Sequence, residues 1–373
     1  MEIIGIIAEY NPFHSGHRYH INKIKEMCKD LVIIAVVSSS FTERGNVSVL
    51  NKWDKTKIAL DNGVDLVIEL PFVYSSQSAD IFAKGAVKIL NALKVDKIVF
   101  GSECNDIYRL KEIANIQVNN NNFDEKVKKY LKDGNNYPTS ISKALKDENI
   151  KKIDSPNDLL AISYLKEIIR NNYNIEGICI QRTNNYHGNN NGKILSASEL
   201  RTKIRNGEDI KDFINYDEDL IYKNTDFFAL LKYQIINNFD ILDKFQTVDE
   251  GIENRVKKYI FNVKNTGELI DKLKTKRYTY NKINRMLIHI LTGLSKEEAK
   301  LNIDYIRVLG FNKKGRDYLN KRKKETTLKI ITKYKDIDSP LLEFEKKASF
   351  IYSIIVNDSS LIKKEFEKPI YKE

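Results

Sequence analysis

Three of the five histidines in this 373-residue chain, His14, His17 and His20, fall within seven residues of one another. They follow an apolar run, 3–8, that stops at the polar turn Glu9-Tyr10-Asn11-Pro12-Phe13, so that His14-Ser15-Gly16-His17 is an H-x-G-H element behind a first strand. Imidazoles three residues apart at a helix start lie on one side of it. Gly16 leaves room for a ligand against the backbone, and the free N–H groups of a helix N-terminus attract phosphate. Such imidazoles can donate to phosphate oxygens whose charge grows during attack at phosphorus. A phosphate neighbour would raise their pKa from about 6.5 and favour the cation. Two other readings stay open: a metal held by His14, His17 and His20, which lack carboxylates or thiolates at a recognisable ligand spacing, and plain packing. A second element, Leu195-Ser196-Ala197-Ser198-Glu199-Leu200-Arg201, reads as a helix start capped by Ser198. Its N–H groups and Arg201 could hold an anion, and the bland reading is an ordinary cap with a solvated arginine.

The elements that must position these groups alternate. Short β-branched runs at 3–8, 31–38, 64–70 and 97–100 are separated by helical spacing at 19–28, 52–62 and 81–93. That pattern predicts an α/β fold on a parallel sheet. Ligands then lie beyond the carboxyl ends of the strands, at 9–17, 39–46, 69–76 and 101–105. A further strand is expected at 175–180, followed by an Asn- and Gly-rich loop at 181–192, with a helical insertion near 106–170. From about 205 onward apolar residues recur at helical spacing, as in Ile283, Met286, Leu287, Ile290 and Leu291. The expected division is a catalytic domain, 1–205, and a mainly α-helical domain, 206–373.

Composition narrows the class. No apolar run approaches the roughly 18–20 residues needed to cross a bilayer, and no basic segment precedes 3–8 as in a signal peptide. Cys28, Cys104 and Cys179 are odd in number and widely spaced, which suits reduced residues of a cytoplasmic protein with no membrane partner. Net charge is +11, yet 251–330 alone carries 21 Lys and Arg against 8 Asp and Glu, a net of +13. Tyr259, Tyr278, Tyr280, Tyr305 and Tyr318 are interleaved with these cations. Basic, tyrosine-dotted chain suits a nucleic acid, whose phosphates release counterions and whose unpaired bases stack. The candidates for that contact are Lys313, Lys314, Arg316, Lys321, Arg322, Lys323 and Lys324; the alternative is a solvated helical face.

The H-x-G-H element and the 195–201 segment, in this order, resemble the paired signatures of the nucleotidylyltransferase superfamily, which has a Rossmann-like fold. Further segments narrow the resemblance. They are the opening Glu-Tyr-Asn-Pro-Phe-His-x-Gly-His-x-Tyr-His, Phe41-Thr42-Glu43-Arg44-Gly45, Lys52-Trp53, Asp65-Leu66-Val67-Ile68-Glu69-Leu70-Pro71, Ala79-Asp80-Ile81-Phe82-Ala83, Phe100-Gly101-Ser102-Glu103, Pro156-Asn157 and Arg182 to Tyr186-His187. Together with Leu287-Ile288-His289 and Arg307-Val308-Leu309-Gly310, they are similar over nearly the whole chain to the tRNA(Met) cytidine acetate ligase family. One departure is Ser39-Ser40-Phe41-Thr42-Glu43, where the family usually shows Gly-Asn-Phe-Val-Gln.

The resemblance implies formation of N4-acetylcytidine at the wobble position of elongator tRNA(Met) from acetate and ATP, through acetyl-adenylate and with release of pyrophosphate. It implies His14, His17 and Arg201 as catalytic residues. It also implies an ATP pocket of Ile6, Ile7, Ala8, Glu9, Asn11, Pro12, Phe13, Gly16, His20, Gly101, Asn157, Arg182, Ser196 and Ser198, with Mg²⁺ accompanying ATP. Read by themselves, Gly101 is a turn glycine or a bare floor for a nucleoside, Asn157 a helix cap or a ligand contact, and Arg182 a phosphate contact or a surface ion pair. Trp53 and His289 read as core residues. Glu69, Glu103 and His187 are left without a role. Two other functions fit the residues less well: nucleotidyl transfer to a small phosphorylated acceptor, which needs no basic segment, and nucleotide-regulated tRNA binding without turnover.

Overall fold

The computed structural model describes residues 1–150, 153–182 and 195–373. In its first half strands and helices alternate: β1 (Glu2–Ala8), α1 (Ser15–Met27), β2 (Leu31–Ser38), α2 (Lys52–Asp61), β3 (Leu66–Leu70), α3 (Phe72–Ser75), α4 (Ala79–Ala92) and β4 (Lys97–Ser102). The helices α5 (Ile107–Asn119), α6 (Phe123–Lys132), α7 (Tyr137–Asp147) and α8 (Pro156–Arg170) follow, then β5 (Glu176–Gln181) and α9 (Ala197–Asn206). Every residue of β2 is buried, the signature of a parallel strand covered on both faces. The sheet runs β5-β4-β1-β2-β3, all parallel. β1 is followed in the chain by β2 on one side and has β4 on its other side, so the order reverses at β1. A crevice therefore opens between the carboxyl ends of β1 and β4.

The second half is mostly helical, with α10 (Phe228–Asn237), α11 (Ile252–Tyr259), α12 (Thr266–Leu273), α13 (Tyr280–Thr292), α14 (Lys313–Arg322), α15 (Pro340–Ile355) and α16 (Ser360–Lys364). Within this mainly helical half, three segments that the sequence pattern did not set apart from the helices, β6 (Tyr305–Asn312), β7 (Lys329–Ile331) and β8 (Ile370–Lys372), are strands. β6 pairs antiparallel with β3 and extends the first half's sheet, while β7 and β8 pair with β6. The physical reason lies in Arg307. A basic residue in a basic stretch suggested a solvated helix, but Arg307 is only 4% exposed on an otherwise apolar strand.

Its burial is explained by a cluster of ions beneath Trp53. Lys52 Nζ lies 2.6 Å from Glu69 and 2.8 Å from Glu365, and Arg307 lies 3.3 Å from Glu69 and also pairs with Glu365. A fifth member, Glu345, accepts from Phe72 N at 2.6 Å and from Ser39 Oγ at 2.7 Å. Burial, reinforced by the Glu69 charge, pushes its carboxyl up to about 8. A proton on Glu345 leaves two carboxylates facing two cations. The cluster ties α2 and β3 to β6, α15 and the residue after α16. Among the described residues, no helix is long and apolar enough to cross a membrane.

Candidate active site

At the end of β1 the chain turns through Tyr10, at φ 46°, and a cis Asn11–Pro12 bond, then enters α1 with His14 as its N-cap. The Gly16 N–H donates to His14 Nδ1 at 3.0 Å, and the His14 N–H donates to His17 Nδ1 at 3.2 Å. With both Nδ1 atoms accepting, each neutral ring carries its proton on Nε2. The rings lie 4.0 Å apart, and Tyr10 and Phe13 pack against His17 at 5.0 and 5.4 Å. Burial, helped by Arg182 and Arg201, pulls His14 down to about 4. Burial holds His17 well below its ordinary value, with His14, His20 and Arg182 adding to the effect, and takes His20 to about 4. In these surroundings both rings are neutral near pH 7 and offer Nε2–H donors.

Three later segments clamp this turn. Val49 N donates to Asn11 Oδ1 at 2.9 Å, Arg201 to Asn11 O at 2.7 Å, and the Tyr216 hydroxyl to Phe13 O at 2.9 Å. Arg201 thus reaches the histidine turn from α9, nearly two hundred residues downstream. It is Ser196, not Ser198, that caps α9: its hydroxyl accepts from Glu199 N at 3.3 Å, and Glu199 returns the bond to Ser196 N at 2.8 Å. Ser198 sits in the first turn, 3.0 Å from Ser196 Oγ.

At the end of β4, Arg182 lies alongside Gly101. A Cβ added to that glycine would stand 3.1 Å from Arg182 Cγ, so a side chain would fill this floor. Arg182 Nε is 3.7 Å from Glu103. Asn157 does not cap its helix; Ser155 holds the cap position of α8, and Asn157 Nδ2 donates to Glu103. Asp158, which sequence reasoning passed over, accepts from Glu103 N at 3.0 Å and Cys104 N at 3.1 Å and so clips α8 to β4.

Four buried polar atoms around this crevice have no hydrogen-bond partner among the described residues: Tyr10 Oη, Asn11 Nδ2, His20 Nε2 and Arg182 Nε. Six other buried atoms among the described residues are also unpartnered but lie away from the crevice; the four here share one region, which makes it a candidate place for a polar ligand. Ile6, Ile7, Ala8, Glu9, Pro12, Phe13 and Gly16 belong to the same strand, turn and helix start.

The loop at 39–46 closes the crevice from above, and sequence reasoning missed what it carries. Glu43 N donates to Glu9 at 2.6 Å, the Glu43 carboxylate pairs with Arg285 at 3.1 Å, and Asn284 Nδ2 donates to Arg44 O at 2.8 Å. Gly45, at φ +74°, lies flat on α13, where a Cβ would meet Arg285 N at 2.5 Å. Buried Lys55 holds the loop's start through Ser38 O and Ser39 O, at 2.9 and 2.8 Å. Everything here is fastened except Arg44, whose exposed side chain has no hydrogen bond or ion pair among the described residues. Its charge is felt by both Arg182 and Arg201, whose pKa values burial already lowers.

The remaining candidates lie elsewhere. Trp53 is core, with Lys52 and Arg307 each 5.6 Å from its ring centre. His289 is fully buried, its Nε2 2.6 Å from Ser76 O, and Glu69 belongs to the ion cluster. His187 lies outside the described residues. Lys313, Lys314, Arg316, Lys321 and Arg322 are on α14, with Lys323 and Lys324 just beyond it, and α14 crosses the opposite end of the sheet. Lys314 Nζ donates to Leu31 O at the start of β2, Asn312 N to Asp65 O before β3, and the Tyr318 hydroxyl to Leu93 O before β4.

A family model described as HIGH nucleotidyl transferase matches residues 1–367. The chain is 40% identical over 398 residues to the tRNA(Met) cytidine acetate ligase of Caldicellulosiruptor saccharolyticus, covering 100% of this chain and 99% of that protein. It is also 40% identical over 385 residues to the ligase of that name from Clostridium perfringens, covering 95% and 96%. Its structure matches that of Thermotoga maritima TmcAL bound with alpha-thio ATP at a TM-score of 0.87 and 28% identity, covering 100% of this chain and 99% of that one. With the same fold from end to end, the histidine turn and the α9 arginine meeting in one crevice, and relatives matched over their full length, this chain belongs to the tRNA(Met) cytidine acetate ligase family of HIGH nucleotidyl transferases.

Proposed function

We propose that the protein activates acetate with ATP and transfers the acetyl group to the wobble cytidine of elongator tRNA(Met). The observation that carries this reading is the set of unpartnered buried polar atoms at Tyr10, Asn11, His20 and Arg182, ringed by His14, His17 and Arg201. A polyanionic nucleotide supplies acceptors for all of them. The α-phosphate would take the Nε2–H groups of His14 and His17, the β- and γ-phosphates Arg201 and the start of α9 with Ser196 and Ser198. The nucleoside would lie on Gly101, near Asn157 and Arg182. Glu9, Glu69 and Glu103 are engaged by Glu43 N, the ion cluster and the α8 start, so magnesium would enter on the triphosphate, its usual carrier.

Acetate is ionised at neutral pH and needs no base to attack. Its oxygen forms a bond to the α-phosphorus as the bond to the β-phosphate bridging oxygen breaks, giving acetyl-adenylate and pyrophosphate. Neutral donors suit this step, because they strengthen toward the charge that grows on the phosphoryl oxygens. The cytidine N4 then attacks the acetyl carbon, the bond to the AMP oxygen breaks, and one amine proton is released with AMP. A labile mixed anhydride favours a crevice covered by the bound RNA, which the 39–46 loop and α13 would meet first. The α14 lysines, at the far end of the sheet, would touch tRNA only away from the reacting base. Such chemistry belongs in the cytoplasm, where tRNA and ATP are found. Incubation with ATP, labelled acetate and bulk tRNA should place label on RNA; ATP consumption with no label on RNA would sink the reading.

A further inference from the structure

Seven cations among residues 313–324 are the densest in the chain, yet they stand behind the sheet from the crevice. A second run, 272–285, holds Lys272, Lys274, Lys276, Arg277, Lys282 and Arg285 with no Asp or Glu among them. Its last part is the half of α13 on which the 39–46 loop rests, through Asn284 to Arg44 O and Arg285 to Glu43. Tyr280 is 51% exposed and lies one turn before Asn284 on the same helix face. Lys274, Lys276 and Tyr280 have no side-chain hydrogen bond, ion pair or ring contact among the described residues, and Arg277 meets only Glu250, at 3.4 Å.

These groups are nevertheless held on a fixed frame. Tyr278, buried at 3% exposure, anchors the turn before α13 by donating to Asp249 O at 2.7 Å, with Lys282 Nζ 3.9 Å from its ring centre. The insertion closes the other side, where Asn136 Nδ2 approaches Lys276 O at 3.5 Å. A turn that shows three cations and one open aromatic ring, one helical turn before the residues that fasten the 39–46 loop, has the chemistry of a single-stranded RNA site: cations for the backbone and a ring for an unstacked base.

We propose that Lys274, Lys276, Arg277 and Tyr280, continuous with Arg44 at the crevice mouth, form the lip that seats single-stranded RNA nucleotides next to the reacting base. The proposal rests on the function proposed above and assigns its RNA to this lip in place of α14. The RNA backbone would run over the three cations, a neighbouring base would stack on Tyr280, and Arg44 would face the phosphate nearest the crevice.

The test uses the full chain and an unmodified elongator tRNA(Met) transcript, with binding, acetate transfer and acetate-dependent ATP–pyrophosphate exchange measured side by side. Combined Lys274→Ala, Lys276→Ala and Arg277→Ala should weaken tRNA binding at least tenfold and make the log–log salt slope shallower by about 2, since each lost single-strand phosphate contact removes roughly 0.7. Tyr280→Ala should cost about tenfold in tRNA affinity and Tyr280→Phe almost nothing, as expected for stacking. Exchange, which needs no RNA, should be unchanged in all of them. Combined alanine substitution at Lys321, Arg322, Lys323 and Lys324 should weaken binding less than threefold. Unchanged affinity in the triple variant, loss of exchange along with binding, or a larger loss from the α14 variant would each overturn the lip. Failure of the unaltered protein to acetylate tRNA would instead overturn the proposed function, while the binding comparison would still decide the lip.

Discussion

The crevice at the end of β1 and the ion cluster beneath Trp53 both bury charge, in opposite condition. In the cluster, Lys52 and Arg307 are matched by Glu69 and Glu365, and Glu345 is kept neutral by burial. In the crevice, Tyr10 Oη, Asn11 Nδ2 and His20 Nε2 are buried without hydrogen-bond partners among the described residues, Arg182 has only Glu103 at 3.7 Å, and Arg201 donates to a neutral carbonyl. A buried ion that has its counter-ion within the chain holds the fold together. A buried donor left open costs stability, a cost that an incoming polar ligand would relieve.

The largest effect expected from breaking the contrast is chemical. His17→Ala or Arg201→Ala should lower acetate-dependent ATP–pyrophosphate exchange by about 10²–10³-fold, the usual cost of losing one donor to a developing charge, while tRNA binding stays intact. A parallel loss of tRNA binding would show that these side chains hold the fold. In the cluster the loss should fall on stability. Lys52→Met leaves carboxylates uncompensated and should destabilise by roughly 3–5 kcal/mol, read from denaturant midpoints, with exchange activity retained in the folded fraction. A destabilisation below about 1 kcal/mol would return the cluster to the weak ion pairs of a surface.

A non-hydrolysable ATP analogue should complete the crevice. At a hundred times its dissociation constant it should add about 2.7 kcal/mol to stability, and Arg182→Ala should sharply reduce that gain. An equal gain in the variant would remove Arg182 from the nucleotide's surroundings. The smallest effect concerns Glu43, where the two conditions meet. Burial pushes its carboxyl up to about 7, with the Glu9 charge adding to this and Arg285 opposing it. A raised folded pKa means that the unfolded chain loses this proton first. Stability from this group is therefore complete below about 4.5 and falls as pH rises to about 7. Glu43→Gln should then gain on the parent protein by about 2 °C in Tm between pH 5 and pH 8, and a gap that stays constant with pH would contradict the buried-acid account.

The same contrast explains what could be read from the chain. The H-x-G-H turn was legible because its chemistry is local: four residues set the cap, the ring spacing and the bare backbone. The strands 31–38 and 64–70 were legible as β-branched runs, and His289 and Trp53 as core residues. Which serine caps α9 was misread, because Ser196 and Ser198 are equally good caps until Glu199 closes the box on one of them. β6 was not picked out because the partners that allow Arg307 to be buried stand at Glu69, far before it, and Glu365, far after it. The 39–46 loop was marked as a place beyond the strand ends, but that Arg44 is the cation left open in it depends on Asn284 and Arg285 far along the chain.

By itself, the sequence determined the α/β class, the H-x-G-H turn at the start of α1 and the helix start that carries Arg201, because periodicity and capping act over a few residues. Only the tertiary structure decided that this arginine reaches Asn11, that the histidines are neutral near pH 7, and that the densest basic helix packs at the strand ends opposite the crevice while α13 fastens the 39–46 loop. Those outcomes depend on burial and on which distant charges meet, and neither quantity exists until the sheet has formed.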